Sequence, residues 1–412
     1  MDSNTLLLII VAIVVGEYLV SEWLSYRNLK AASSQIPTQL AGLYDEEKYA
    51  KQQKYFRTNN RFSLITSTFS TLVMLAMLKM QAFGAIYEYC TTISQNIIVQ
   101  TLIFMAIIFV AYDILTLPFQ IYDTFVIEER FGFNKTTPKT FILDKLKGLL
   151  LAAILGGGLI SLIVWLYTIL GTNFWWAAFF VSLTVSLLTT MLYSQVIVPL
   201  FNKQTPLPEG ELRDEIEKFA KKANFELTNI YVIDGSKRST KANAYFSGIG
   251  KRRRIVLYDT LIEELSVQEV VAVLAHEIGH YKKRHTLKNF IAAAITMLIQ
   301  FYVLSLALSS TTMAEAMGLA TPAFAVSLIA FAILYTPIDM ATGIIMNAIS
   351  RKAEYEADNF ASSNGFGEEL ISALKKLSVK SLSNLTPDNI YVKVHYSHPT
   401  LLQRVLAIKA EK

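Results

Sequence analysis

Residues 266–309 read SVQEVVAVLAHEIGHYKKRHTLKNFIAAAITMLIQFYVLSLALS. The stretch opens on Ser266-Val-Gln-Glu269, a serine followed three residues later by a glutamate. That is the spacing of a capping box, and it predicts a helix through at least His280. On that helix His276 and His280 stand one turn apart on a single face, with Glu277 beside them. From residue 288 the chain turns apolar and stays so to residue 309. A hydrocarbon core about 30 Å thick takes about 20 helical residues to cross, and this run suffices. A helix carrying polar chemistry therefore leads directly into a membrane span.

Working outward, six further segments have the same apolar length: 4–24, 63–85, 97–119, 148–170, 174–200 and 322–347. Composition agrees, with 53% hydrophobic and 17% charged residues, where a soluble domain carries about 25% charge. An ordinary cytosolic enzyme and a disordered chain are both excluded. The net charge of +5 is too mild for a nucleic-acid binder. Segment 4–24 lacks a basic leader and contains Glu17 and Glu22, so it reads as a retained span. Lys and Arg cluster in 25–62, 120–147 and 201–287 and are missing from 86–96, 171–173 and 310–321. The positive-inside rule then places the N-terminus outside and the C-terminus in the cytoplasm, as an odd number of crossings requires. Within the spans, Glu17, Lys79, Asp113 and Asp339 are expected either to pair between helices or to border a water-accessible space, Asp113 foremost. Gly156, Gly157 and Gly158 would allow close helix approach, and Pro337 would kink the last span.

The fold class read from this pattern is mainly α: a polytopic membrane protein with seven transmembrane helices and a small α+β catalytic domain. Residues 1–200 hold five spans with their loops, and 201–287 the first part of the catalytic domain. Residues 288–347 hold spans six and seven, and 348–412 the second part. Within 201–287 a helix is expected over 208–223 and strands over 229–233, 243–246 and 255–258. A turn over 247–252 joins the last two strands.

The chemistry concentrates in the catalytic parts. A single cysteine, Cys90, rules out an internal disulfide and a cysteine-based zinc site, so a metal must be held by His, Asp or Glu. All five histidines fall after residue 275. His276-Glu-Ile-Gly-His280 is an H-E-x-x-H motif: two imidazoles on one ion, and a carboxylate placed to take the proton of the water that the ion polarises. A third ligand is expected from Glu354 or Asp358, which share a helical face just after span seven. The hairpin of spans six and seven would bring that helix back to the motif. The carboxylate that does not bind metal would orient a ligand histidine, while Glu356 points elsewhere. His285, about 140° around the helix from His280, misses the metal face and is given a structural or interfacial role. Either His395 or His398, with Arg404, would stabilise a developing oxyanion.

The chain resembles the type I CAAX prenyl protease family of integral-membrane zinc endopeptidases over nearly its whole length. The resemblance rests on Phe125-Val-Ile-Glu-Glu-Arg-Phe-Gly-Phe-Asn-Lys135, Asp234-Gly-Ser-Lys-Arg238, Lys241-Ala-Asn-Ala-Tyr-Phe246, the motif at 276–280, Ser350-Arg-Lys-Ala-Glu354-Tyr-Glu-Ala-Asp358 and His395-Tyr-Ser-His398-Pro. The related heat-shock membrane proteases share the zinc motif but are shorter and fit less well.

The resemblance implies one zinc held by His276, His280 and Glu354, with Glu277 as general base and Asp358 as proton donor or as the group that orients a ligand. It implies that His398 and Arg404 face the scissile carbonyl. The strand Asn243, Ala244, Tyr245 and Phe246 would pair with an extended peptide. Seven helices would form a zincin-bearing ring around a water-filled chamber. The implied substrate is a peptide or protein, possibly a prenylated C-terminal CAAX sequence, cut at the membrane surface. Compact loops and the ending Ala-Glu-Lys suggest a bacterial inner membrane, and the endoplasmic reticulum if the source is eukaryotic. The competing expectations are a membrane quality-control protease and a non-proteolytic seven-span receptor or scaffold.

Overall fold

Among the described residues of the computed structural model, six helical segments are long and apolar enough to cross a membrane: Ser3–Ala31, Glu46–Lys79, Ile97–Phe131, Pro138–Phe201, His285–Ala307 and Phe324–Lys380. The structure describes all residues except 34, 228, 248–253 and 411–412. The helices that matter below are α1 (Ser3–Ala31), α2 (Glu46–Lys79), α3 (Ala82–Ile93), α4 (Ile97–Tyr122), α5 (Pro138–Leu151), α6 (Gly157–Leu170) and α7 (Phe174–Leu192). The rest of the chain adds α8 (Glu211–Lys222), α9 (Val267–Lys282), α10 (His285–Ala307), α11 (Thr311–Ala316), α12 (Phe324–Ala361), α13 (Gly367–Lys380), α14 (Asn389–His395) and α15 (Leu401–Ala410). The fourth apolar segment is 64 residues long, far more than one crossing needs. It breaks at Gly171–Asn173, where Gly171 has φ +55, and α6 packs back on α7.

Helix ends depart from the apolar boundaries for physical reasons. α2 begins at Glu46, well before its apolar part, because Asp45 caps it and Glu46 and Glu47 complement its dipole. Its polar half rests on the polar domain, where Tyr49 and Tyr55 join the core of Ile216, Ile255 and Leu274. The 38 residues of α12 span about 57 Å, so its C-terminal half projects beyond the hydrocarbon core. That half carries Glu354 and Asp358. The helix runs unbroken through Pro337. Between α9 and α10 the chain turns at Arg284, which adopts φ +57.

Two of the three regions without Lys or Arg, 86–96 and 310–321, come together. Gly84 N donates to Met317 O at 3.1 Å, and a Cβ at Gly84 would overlap Gly318 O. Leu6 and Ile10 of α1 join Phe83, Cys90 and Met313 in one buried cluster there. Asp113 pairs with Lys145 of α5, so the pairing reading of that residue holds. Gly156 and Gly158 have nothing within 4 Å of a Cβ position, and Gly157 has only Leu102 Cδ2 at 3.8 Å. The expected close approach at this triplet is therefore absent, and a π-helical turn over Ala152–Gly156 occupies its start instead.

The polar part that follows the fourth apolar segment is built on a four-stranded sheet in the order β1-β2-β4-β3, from β1 (Gln204–Pro206), β2 (Asn229–Ile233), β3 (Ala244–Ser247) and β4 (Arg254–Tyr258). β2 and β4 run parallel, and β1 and β3 flank them antiparallel. The three expected strands form within one residue of their predicted bounds, and β1 is additional. The expected turn at 247–252 lies almost wholly outside the described residues. One core joins Ile230, Ile255 and Leu257 of the sheet to Ile216, Val270, Leu274, Ile278 and Leu370 of the helices. The expected capping box is present, and Glu269 also accepts from Ser372 and Lys376, tying α9 to α13.

Candidate metal centre

α9 and α12 pack along their length, and the seam between them carries the site. Gly279 permits it: an ideal Cβ there would lie 3.0 Å from Ala357 Cα and 3.1 Å from Ala357 O. With the two backbones this close, one ligand atom from each of His276, His280 and Glu354 falls within 4.8 Å of the others. His276 Nε2 and His280 Nε2 are 3.1 Å apart, and Glu354 Oε1 is 3.2 Å from the latter. A tetrahedral zinc with bonds of about 2.0–2.1 Å would hold two nitrogens about 3.3 Å apart, so the donor set fits such an ion. Glu354 Oε2 is buried and accepts no hydrogen bond. His398 Nδ1, His276 Nε2 and Arg404 Nη1 lie 3.0, 3.5 and 3.5 Å from it without alignment. A buried carboxylate oxygen with no hydrogen bond, beside two converging imidazoles, suits a cation.

Both imidazoles of the motif are held from behind. His276 Nδ1 lies 2.8 Å from Asp358 Oδ1, and Arg404 Nε donates to Asp358 Oδ2 at 2.8 Å. Asp358 is one turn after Glu354, so a single helix face supplies both the carboxylate facing the two imidazoles and the anchor of His276. His280 Nδ1 faces His285 Nδ1 at 3.1 Å, and His285 Nε2 faces Glu356 Oε2 at 3.0 Å. The tautomers follow from these partners. With His280 Nε2 turned to the site, its Nδ1–H donates to His285, whose Nε2–H donates to Glu356. His285 and Glu356 both miss the face of His276 and His280, as expected, and the structural role expected of His285 becomes specific: with Glu356 it orients His280.

Glu277 lies on the same helix, and burial pushes its carboxyl pKa up, opposed by nearby His276 and His280. His398 is well exposed, with its side chain 66% accessible, while Arg404 is nearly buried and committed to Asp358. His395 packs its ring against Tyr391, with centroids 4.6 Å apart and planes tilted by 45°. A clamp fixes the loop between them: Arg351 Nη1 donates to Tyr396 O at 2.6 Å and to Val392 O at 3.2 Å, and Asn347 Nδ2 to Val394 O at 2.7 Å. Tyr396 O and Val394 O lie at the C-terminal end of α14, where carbonyls run out of intrahelical partners, while Val392 O also accepts from Tyr396 N at 3.0 Å. Sequence reasoning missed Asn347 and Arg351; their one-turn spacing ahead of Glu354 was the available signal.

β3 is one of the sheet's two edge strands, β1 being the other. Tyr258 N donates to Asn243 O, so the alternation of an antiparallel pair turns the Ala244 N–H and C=O away from β4. The Ala244 N–H donates instead to Asn243 Oδ1 at 2.8 Å. Tyr245 packs near Tyr193 and Tyr258. Phe246 pairs with Ile255 in the ladder.

Residues 25–203 match the profile of the CAAX prenyl protease N-terminal region with five membrane helices, and residues 206–412 match peptidase family M48. The chain is 37% identical to the CAAX prenyl protease 1 homolog of Arabidopsis thaliana, over 98% of this chain and 97% of the relative. It is 32% identical to CAAX prenyl protease 1 of Saccharomyces cerevisiae, over 97% and 94%. The crystal structure of S. mikatae Ste24p matches with a TM-score of 0.93 at 33% identity, over 98% of this chain and 99% of that one. Likeness of this extent, on a chain whose H-E-x-x-H helix is met by a distant glutamate, makes it a multi-pass membrane metallopeptidase of family M48, of the CAAX prenyl protease 1 type.

Proposed function

We propose that the chain binds one zinc ion through His276, His280 and Glu354 and hydrolyses peptide bonds of substrates laid along β3. The convergence of those three donor atoms, with Glu354 Oε2 left orphaned, carries this reading. When bound, zinc supplies a Lewis acid that lowers the pKa of the attacking water. Glu277 takes the proton of that water and passes it to the leaving amine, a task for which a carboxyl raised by burial is suited. His398, exposed at the rim, donates to the developing oxyanion. Asp358 is saturated by His276 and Arg404, which favours a positioning role over proton donation, and Arg404 acts through it. The outward N–H and C=O of Ala244 bond the substrate main chain once Asn243 Oδ1 is displaced.

The substrate class extends the names of the relatives: C-terminal tripeptides of CAAX proteins, prenylated or not. The interrupted 64-residue segment supports two crossings there and seven in all. Five of the six apolar segments bury only 6–17% of their most hydrophobic window, as helices do when lipid lies on one side and a wide chamber on the other. The meeting of two of the cation-free loops favours one outer face, with the zincin-like domain at the cytoplasmic one. The relatives above are eukaryotic, which supports the endoplasmic-reticulum placement over the bacterial inner membrane.

The test pairs two variants of the purified protein. Glu277→Ala should keep one zinc per chain and lose cleavage of a C-a-a-X peptide, whereas His276→Ala should lose the zinc. Cleavage at wild-type rate by Glu277→Ala, or unchanged zinc in His276→Ala, would overturn the assignment. Farnesylated and unmodified forms of the same peptide then decide whether the prenyl chain is read.

A further inference from the structure

A cleft of about 950 Å³ opens between the polar half of α2 and the 35–50 segment. Lys54, Arg57 and Arg61 line it, spaced so that they share one face of α2, and Arg130 meets them from the end of the α4 extension. All four are exposed, and none forms an ion pair among the described residues. Other cations near the membrane surface do: Arg27 with Asp388, Arg238 with Asp144 and Lys241 with Glu128. Four like charges converging on one cavity repel one another unless an anion joins them. Glu46 is the single carboxylate in the lining.

The depth of the cleft identifies the anion. The apolar part of α2 begins just after Arg61, so the cations occupy about 10 Å of helix at the hydrocarbon boundary, where headgroups sit. The same helix face continues through Ile65 and Leu72, both exposed. We propose that this cleft binds the phosphate of an anionic phospholipid, whose acyl chains descend along Ile65 and Leu72.

The full chain in detergent is titrated with phosphatidylglycerol and with phosphatidylcholine of the same acyl chains, and bound lipid is counted by native mass spectrometry. The wild type should prefer phosphatidylglycerol. Arg57→Gln/Arg61→Gln/Arg130→Gln should lose about 100-fold in that preference, from about fivefold per cation. Lys30→Gln/Lys135→Gln/Lys139→Gln, equal in charge but outside the cleft, should retain it. No preference in the wild type, or equal loss in both triple variants, would overturn the site. Inorganic phosphate displacing the lipid at equal concentration would overturn the lipid as its occupant.

Discussion

Gly279→Ala adds one methyl group at the seam that assembles the metal centre. The new Cβ would stand 3.0 Å from Ala357 Cα and from Phe360 Cβ, and 3.1 Å from Ala357 O. Carbon atoms rest at about 3.5–4.0 Å, so relief needs about 0.5 Å of separation. Two of the three obstacles are backbone, and no rotamer change removes them. The separation moves α12 off α9 and so draws Glu354 away from His276 and His280, whereas a metal site tolerates about 0.2 Å. Overpacking of this kind costs about 1–3 kcal/mol. If the strain is released by opening the seam, about 2 kcal/mol appears as a loss of about 30-fold in zinc affinity. The assay titrates purified wild type and variant against a zinc chelator, measures peptide cleavage at low and saturating zinc, and follows thermal unfolding. Zinc affinity should fall, and cleavage should recover partly when zinc is in excess. Wild-type zinc retention with wild-type cleavage would refute the idea that this contact sets the ligand spacing.

Other expectations follow from the same geometry. Asp358→Ala strips His276 Nδ1 of its acceptor and leaves Arg404 buried without its partner; zinc affinity should fall about 10–100-fold and the melting temperature should drop. His285→Phe keeps the volume but breaks the link from Glu356 to His280. A loss of about 10-fold in zinc affinity is expected, read by chelator competition, and unchanged affinity would remove the relay. Ala244→Pro deletes an outward N–H that no neighbouring strand uses, so peptide KM should rise while zinc content and melting temperature stay near wild type. Glu269, ordinarily near 4.5, is lowered to about 2 by Lys376, Ser372 and the Ser266 N–H despite its burial. Its contribution is full above about pH 4.5 and drains away as pH falls toward 2, so Glu269→Gln should flatten the acid limb of the melting-temperature profile relative to wild type.

Local rules made much of the protein legible in its sequence. Ser266 and Glu269 announce the start of α9 because a capping box needs only four consecutive residues. His276 and His280 share a face because helical periodicity alone dictates it. The apolar segments read as membrane helices because hydrocarbon admits few alternatives. The same logic misled at Gly156–Gly158, where small residues invite a close neighbour but cannot supply one. It also missed β1, whose three residues carry no periodic signal.

The open choice between Glu354 and Asp358 shows where local reasoning ends. Both lie on one face of α12, and sequence spacing treats them alike. Packing separates them: with Gly279 against Ala357, Glu354 reaches both imidazoles of the motif, while Asp358 reaches only the back of His276 and the guanidinium of Arg404. His285 and Glu356 likewise gain their place from a turn at Arg284 and a neighbouring helix, neither of which periodicity encodes. The chain's own order thus fixed which residue types were present and which helix faces they shared. Which carboxylate meets which nitrogen was decided only in three dimensions, because that depends on the distance between two helices, and a single missing side chain sets it.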